Sequence, residues 1–334
     1  MQTLVVSDLH IGAGHGRMRL DDPGAVAALA ERIAGVDRLV LLGDVVELRE
    51  RPIQDALAAA ARVLPQLVAG LGAGRELVLV PGNHDHQLQV APEALSALVG
   101  LLSAGGAAVR HEYPGVWLRD DVYAQHGHYL DRHTTTPAFE RLAAGAMARF
   151  IKLPLSAMSS PEDYERVLAP VYAWMYSISQ NGDGEVDAAE GGGSTRLLKR
   201  MRQARTLERF ALETGVRALV AAVSRTGLGP LTGDVSDAQL RRASLVAFGE
   251  VLSVLGLEPR YALFGHTHRA GPLAHDRPEE WTTAAGTQLI NTGCWVNEHF
   301  SIEHAFENPY RPGFAVELAD DPAVPPRLVN LLDD

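Results

Sequence analysis

The stretch LVLLGDVVE, residues 39–47, joins an unbroken apolar run to a glycine turn and two carboxylates. An apolar run without polar alternation is typical of a strand that is buried on both faces of a sheet. Similar runs occupy residues 4–6 and 77–80, and Ala- and Leu-rich stretches near 23–35 and 53–72 separate the three. This alternation of strand and helix predicts a βαβ arrangement.

Further short apolar runs predict additional strands at 116–118, 122–124, 261–264, 288–290 and 314–318. From 131 to 257 the pattern changes, because apolar residues recur at helical spacing over 139–151 and 164–178, and helices are predicted again at 197–207 and 240–255. We therefore predict an α/β sandwich with helices outside, in two core parts, 1–130 and 258–334. Residues 131–257 are predicted to form a helical insertion, which would act as a cap or lid.

Composition limits the classes of function that need to be considered. The chain has 334 residues and a net charge of -11, so nucleic acid is an unlikely partner because its phosphates repel an acidic protein. The single cysteine, Cys294, excludes an intrachain disulfide and favours a reducing, cytoplasmic location. We expect no signal peptide, and because no apolar run reaches about 18 residues we predict no transmembrane segment, while peripheral membrane contact stays open.

Polar side chains follow five of the predicted strands, at the point where each strand ends. They are Asp8 and His10, then Asp44, then Asn83, His84 and Asp85, then His126, and finally His266 and His268. In α/β sheets, ligands bind at the carboxyl ends of the strands. Because these side chains are oxygen and nitrogen donors without a thiolate, they suit ions such as Mn, Fe or Zn.

The motifs Asp-x-His, Gly-Asp-x-x-Glu, Gly-Asn-His-Asp, His-Gly and Gly-His-x-His together resemble the signature of the calcineurin-like metallophosphoesterase superfamily. The resemblance covers roughly 1–130 and 260–300. It implies a sandwich of two mixed sheets flanked by helices. It also implies a hydrolase that cleaves a phosphodiester, pyrophosphate or phosphomonoester bond in a small organic phosphate, by means of a metal-bound hydroxide and two divalent metal ions.

The resemblance also implies roles for individual residues. One metal would be held by Asp8, His10, Asp44 and His268. The second would be held by Asp44, Asn83, His126 and His266, so that Asp44 bridges the two ions. His84 would contact the phosphate and protonate the leaving oxygen, with Asp85 orienting its ring. Mn²⁺ is the expected metal, with Fe, Zn, Ni or Mg as alternatives. Glu47 stands where many relatives have Asp, and we expect it to lie outside the ligand set.

Three weaker sequence patterns indicate further binding residues, either close to these motifs or in the predicted insertion. Asn83, His128, Arg132 and Arg269 are predicted substrate contacts, and for the last three the alternative is that they are loop residues at the rim of the site. Six basic residues between 196 and 209 could hold an anionic group, but we favour a solvated helix face. Residues 179–190 resemble an EF-hand loop, yet position one is Ser179 and no paired loop follows, so we favour a plain acidic loop.

The substrate class stays open between branches of the superfamily. The motifs and the helical insertion are similar to those of bacterial UDP-2,3-diacylglucosamine pyrophosphatases and of cyclic-nucleotide phosphodiesterases, although this insertion is longer than expected for the lipid enzymes. Three alternatives remain: a nuclease of the superfamily, a non-catalytic metal-binding scaffold, and a membrane-surface module built on the insertion. The sequence carries no prediction of oligomeric state.

Overall fold

The computed structural model describes residues 1–14, 16–136, 138–181, 231–232, 236–297 and 308–333, and these form two compact units. The first unit comprises the described residues of Met1–His128, Met175–Val186 and Pro259–Asp334. The second comprises the described residues of Tyr129–Trp174 and Asp187–Glu258. Three predicted features lie wholly or mostly outside the described residues: the helix at 197–207, the basic cluster at 196–209, and the EF-hand-like loop beyond residue 181.

The first unit contains two mixed sheets. The larger sheet contains β1 (Gln2–Val6), β2 (Arg38–Leu42), β3 (Glu76–Val80), β4 (Ala108–His111), β9 (Phe314–Ala319) and β10 (Arg327–Asn330), in the order β10-β9-β1-β2-β3-β4. The smaller sheet contains β5 (Gly115–Arg119), β6 (Val122–Gln125), β7 (Tyr261–Phe264) and β8 (Gln288–Asn291), in sequence order. Strands β1 to β4 are parallel, as are β6 to β8, whereas β9, β10 and β5 pair in antiparallel fashion.

Each central strand is buried on both faces, as its unbroken apolar run predicts. Leu39 and Leu41 of β2 pack into the core that lies under helices α1 (Pro23–Ala34), α2 (Ile53–Val68) and α3 (Pro92–Leu102). Val40 and Leu42 point the other way, into the core shared with the smaller sheet. This period-two alternation produces the layered α/β sandwich, and the predicted fold class is confirmed.

Two strands of the larger sheet are not predicted by the sequence. Strands β4 and β10 form the two edges of the larger sheet, and none of their residues is fully buried. An edge strand needs no continuous apolar run, because one of its sides is open to solvent. Their short, mixed sequences therefore carry little strand signal.

The second unit is helical where the structure describes it. Helix α4 (Phe139–Phe150) belongs to it, as do the first part of α5 (Pro161–Asn181) and all of α6 (Asp237–Val254). Pro170 lies inside α5. No strand occurs in the described residues between 129 and 258. Among the helices in the described ranges, none combines the length and apolarity needed to cross a bilayer.

Candidate metal centre

Eight of the predicted side chains follow strands of the first unit at their carboxyl ends. They are Asp8 and His10 after β1, Asp44 after β2, Asn83 and His84 after β3, His126 after β6, and His266 and His268 after β7. Parallel strands of one sheet end at the same edge, so the loops that follow them converge there. Both sheets therefore contribute donor atoms to one place.

One group of donor atoms gathers around Asp8. Nε2 of His268 lies 3.3 Å from Oδ1 of Asp8 and 3.1 Å from Nε2 of His10. Nε2 of His10 lies 3.6 Å from Oδ2 of Asp44. The side chains of Asp8, His10 and Asp44 are almost completely buried, so these contacts are shielded from water.

A second group gathers on the other side of Asp44. Nε2 of His126 lies 3.2 Å from Oδ2 of Asp44 and 3.2 Å from Oδ1 of Asn83. Nδ1 of His266 lies 3.0 Å from the same Asn83 oxygen. Asp44 is thus the carboxylate that both groups share.

The spacing of these atoms fits divalent metal ions. Metal–ligand bonds of about 2.1 Å that meet at about 90–109° place neighbouring ligand atoms about 3.0–3.4 Å apart. The donor–donor distances given above run from 3.0 to 3.6 Å, close to this spacing. Among the described residues, three overlapping groups of side chains also have ligand atoms within 4.8 Å of one another. These groups are Asp8, His10 and His268; His10, Asp44 and His84; and Asp8, Asp44 and His126.

Backbone strain is concentrated at the same residues. In the described part of the chain, six non-glycine residues have a positive φ, and five of them belong to this site. They are Asp8, His10, Asp44, His266 and His268, with φ between 43° and 66°. The left-handed region is unfavourable for such residues and persists only where the surrounding structure enforces it, most often at functional sites.

The Gly43 turn brings β2 close to a neighbouring imidazole. Gly43 has φ +87°, and a Cβ at this position would lie 2.2 Å from Nδ1 of His126. The same Nδ1 donates to the carbonyl oxygen of Leu42 at 2.9 Å, which leaves Nε2 to face Asp44 and Asn83. Glycine is therefore required here both by the turn and by the close approach of the ring.

The carboxylates of the site keep their negative charge despite burial. Burial alone raises the pKa of Asp44, but the neighbouring His126 and His84 outweigh it and hold the pKa well below its usual range. Burial lowers the pKa of His126, whereas the charges of Asp44 and Asp8 raise it to about 9. The site thus stabilises positive charge, and a proton and a metal ion would compete for the same lone pairs.

Glu47 has a more direct role than the sequence analysis assigned to it. Its fully buried carboxylate accepts from Nδ1 of His10 at 2.9 Å and from Nδ1 of His84 at 2.7 Å. One side chain therefore orients two imidazoles and leaves Nε2 of each ring for other contacts. The last position of Gly-Asp-x-x-Glu was the available signal, but nothing in the spacing shows which rings it meets.

The prediction that Asp85 orients the His84 ring is wrong. The Asp85 carboxylate accepts from the backbone N–H groups of Gly82 at 2.6 Å and of Val45 at 2.7 Å. It thereby ties the turn after β3 to the turn after β2. Burial, and then the charge of Asp44, raise the pKa of Asp85 to about 6. Asp85 supports the loops, and Glu47 holds the ring.

Asn83 belongs to the donor groups described above, and the other three predicted substrate contacts have different surroundings. His128 is fully buried, with Nε2 3.2 Å from the hydroxyl of Tyr113. Arg132 belongs to the second unit. Arg269 donates from its two terminal nitrogens to the buried carboxylate of Asp276, at 3.0 and 2.6 Å. Because this guanidinium has a carboxylate partner in its own loop, the structure does not support Arg269 as a substrate contact.

Comparison with known proteins identifies a family. The model of the calcineurin-like phosphoesterase family matches residues 1–270. Among solved structures, a dimetal phosphatase from Danio rerio is similar to 99% of this chain over 99% of its own, at 13% sequence identity and a TM-score of 0.39. No curated protein matches the sequence.

Proposed function

Because the chain belongs to the calcineurin-like phosphoesterase family, we propose that it hydrolyses a phosphodiester, pyrophosphate or phosphomonoester bond in a small organic phosphate. The observation that carries this proposal is the convergence of buried oxygen and nitrogen donors on Asp44 from both sheets. The family supports a metal-dependent hydrolase, and the preferred model ester distinguishes phosphodiester from phosphomonoester cleavage.

We assign two divalent metal ions to the two groups of donors. The first group is Asp8, His10, Asp44 and His268. The second group is Asp44, Asn83, His126 and His266. Asp44 is the natural bridge because a carboxylate has two oxygens, both with free lone pairs. Mn²⁺ is our first choice for this set of carboxylate, carboxamide and imidazole donors, and Fe, Zn, Ni or Mg are the alternatives.

When bound, such cations lower the pKa of water towards about 7, which supplies a nucleophile, and they neutralise charge that develops on phosphoryl oxygens. The remaining work falls to side chains of this protein. Burial lowers the pKa of His84, and the charge of Glu47 opposes this effect. We propose that Glu47 holds His84 through Nδ1, so that Nε2 faces the phosphate. In the doubly protonated ring, which the charge of Glu47 favours, Nε2–H delivers its proton to the leaving oxygen, and the ring keeps the proton on Nδ1.

Two further features belong to the same proposal. Residues 131–257 are proposed as a helical insertion in the chain between two parts of the core, 1–130 and 258–334, and the described residues of Tyr129–Trp174 and Asp187–Glu258 form a compact unit of their own. A cytoplasmic location is consistent with the single cysteine.

The proposal is tested by hydrolysis of bis-p-nitrophenyl phosphate and p-nitrophenyl phosphate with added Mn²⁺. We expect turnover in the wild type, and a loss of at least about 100-fold in Asp44→Ala, more than is typical of residues that only support a ligand. Asp120→Ala, which changes an exposed aspartate of the first unit, is the matched control and should keep full activity.

Each outcome of this test has a definite meaning. The preferred ester distinguishes a diesterase from a monoesterase. Wild-type protein that binds no metal would reject the proposal in favour of a non-catalytic scaffold. Unchanged metal content and activity in Asp44→Ala would show that the metal lies elsewhere.

A further inference from the structure

Two arginines of the second unit are buried next to each other. Arg132 is 6% exposed and ends a short 3-10 helix, and Arg141 is 1% exposed in the first turn of α4. Arginine is rarely buried to this extent unless a carboxylate or another anion offsets its charge. The contacts of both guanidinium groups therefore determine how far their charge is offset.

The groups around the two arginines offset their charge only in part. Nε of Arg141 donates to the carbonyl oxygen of Thr134 at 2.8 Å, and the charge of Asp131 raises the pKa of Arg141 against the effect of burial. Within the described residues, Nε of Arg132 and one terminal nitrogen (Nη1) of Arg141 are buried without a hydrogen-bond partner. Burial, and then the positive charge of Arg141, lower the pKa of Arg132 to about 10.

The neighbouring polar side chains are engaged with one another. The hydroxyl of Tyr164 lies 2.6 Å from Nε2 of His133, and the hydroxyl of Tyr129 donates to the half-buried Glu165 at 2.6 Å. Burial, Arg132 and Arg141 lower the pKa of His133 to about 4, so this ring is neutral at pH 7. One buried N–H donor of each positively charged guanidinium group therefore lacks a hydrogen-bond partner within the described residues.

We propose that Arg132 and Arg141 form a binding site for an oxyanion with the chemistry of a phosphate group. A guanidinium presents its donors as a planar fork that matches two oxygens of a phosphate, and such charge-assisted hydrogen bonds are strong. A bound phosphate would supply both the acceptors and the negative charge that the buried pair lacks. The inference does not depend on the metal centre, because all of its residues belong to the second unit.

The test is equilibrium dialysis of the full-length protein against inorganic phosphate at constant ionic strength, with metal and after treatment with a chelator. We expect one phosphate to remain bound per chain after chelation, and its affinity to fall at least about 10-fold in Arg132→Gln and in Arg141→Gln. Arg166→Gln, which removes an exposed guanidinium of α5, is the matched control and should bind as the wild type does. Absence of saturable binding to the chelated wild type, or unchanged binding in both variants, would overturn the site.

A second measurement keeps the test valid if Arg141→Gln does not fold. Arg132→Met removes one buried charge and retains much of the apolar volume. In phosphate-free buffer its Tm should equal or exceed that of the wild type, and only the wild type should gain about 5 °C at saturating phosphate. An equal loss of Tm in both buffers would show that Arg132 is structural and would overturn the site.

The experiment also distinguishes free phosphate from a lipid phosphate group as the source of the anion. Binding of free phosphate shows that the oxyanion alone is sufficient. If phosphate fails to bind and vesicles that contain phosphatidic acid bind instead, the site as stated is overturned. Failure of the metal-dependent hydrolysis described above would leave this inference untouched, and the reverse also holds.

Discussion

At the scale of single residues, the site depends on side chains that hold the proposed ligands in place. Glu47 accepts from His10 and His84, and the backbone N–H groups of Arg49 and Glu50 donate to its other oxygen at 2.9 and 3.2 Å. The backbone of its own loop therefore holds this carboxylate in place. A fixed acceptor sets both the tautomer and the direction of an imidazole, which is how supporting residues tune metal centres.

We expect Glu47→Gln to lower kcat about 10- to 100-fold and to weaken metal binding, because an amide cannot accept equally well from both imidazoles. The measurement is the pH profile of kcat together with metal content. A purely structural role would change Tm without moving the pH profile. Glu31→Gln on the exposed face of α1 is the control, and kinetics equal to the wild type in Glu47→Gln would contradict this role.

Arg269 shows how the tertiary structure redirects a side chain. The carboxylate of its partner, Asp276, is 1% exposed, and the guanidinium also packs over the Trp281 ring. Arg269→Met should cost about 3–5 kcal/mol of unfolding free energy, because it leaves a buried carboxylate without its counter-charge.

Urea unfolding of Arg269→Met and of the exposed control Arg277→Met measures this cost. The double variant Arg269→Met/Asp276→Leu should recover most of the loss, since the unpaired charge is then gone. A variant that is as stable as the wild type but has a raised KM would instead restore Arg269 as a substrate contact.

At the scale of elements, the loops after the strands are joined into one frame. The backbone N–H groups of Asp8 and His10 donate to the carbonyl oxygens of Gly43 and Asp44, at 3.0 and 2.8 Å. Gly265 donates to the carbonyl oxygen of His126 at 2.8 Å, which connects β7 to β6 beyond the end of their pairing. These bonds hold the left-handed residues of the site in a backbone conformation that they would not adopt alone.

The Gly43 turn gives a test at this scale. Gly43→Ala should abolish metal binding and activity, because a Cβ 2.2 Å from Nδ1 of His126 must displace the ring. Gly100→Ala is the matched control, since a Cβ there meets no atom within 4 Å and Gly100 lies inside α3. The control should be stabilised by up to about 1 kcal/mol. Metal content and thermal unfolding measure both effects, and full metal binding in Gly43→Ala would contradict the close approach.

At the scale of the whole molecule, the two units differ in the charges that they bury. The first unit concentrates its buried charge around Asp44, where opposite charges meet. The second unit buries Arg132 and Arg141 beside His133 and Tyr164, so positive charge accumulates there. A histidine in such surroundings resists protonation, and this links the stability of the protein to pH.

Stability should fall as pH drops through the range from about 6.5 to 4. The pKa of His133 is lowered to about 4 in the folded protein, so in this range the unfolded chain binds a proton that the folded chain does not. The shift corresponds to at most about 3 kcal/mol, and partial exposure of the ring reduces this to about 1–2 kcal/mol.

The measurement is urea unfolding at pH 7 and pH 5, in a buffer without phosphate. His133→Gln should lose less stability than the wild type between these two pH values. The exposed His275→Gln should behave as the wild type does. Equal losses in wild type and His133→Gln would show that this ring does not resist protonation.

Local pattern predicted most of the fold. Runs such as residues 39–42 indicate a doubly buried strand, because a short apolar run that ends at a glycine turn is typical of a strand packed between two layers. The edge strands β4 and β10 were missed, because their pairing depends on a neighbour in the sheet and not on their own composition. The helical character of 139–151 and 164–178 followed from periodicity, which is also a local property.

The sequence by itself determined which side chains stand at the ends of the strands, because motif and strand are contiguous in the chain. Only the tertiary structure decided their partners. Glu47 meets His84 across 37 residues, and His10 meets His268 across 258. The assignment of Asp85 to backbone N–H groups, the pairing of Arg269 with Asp276 and the burial of Arg132 beside Arg141 are of the same kind. Such contacts are set by how distant loops pack, and no local spacing records that geometry.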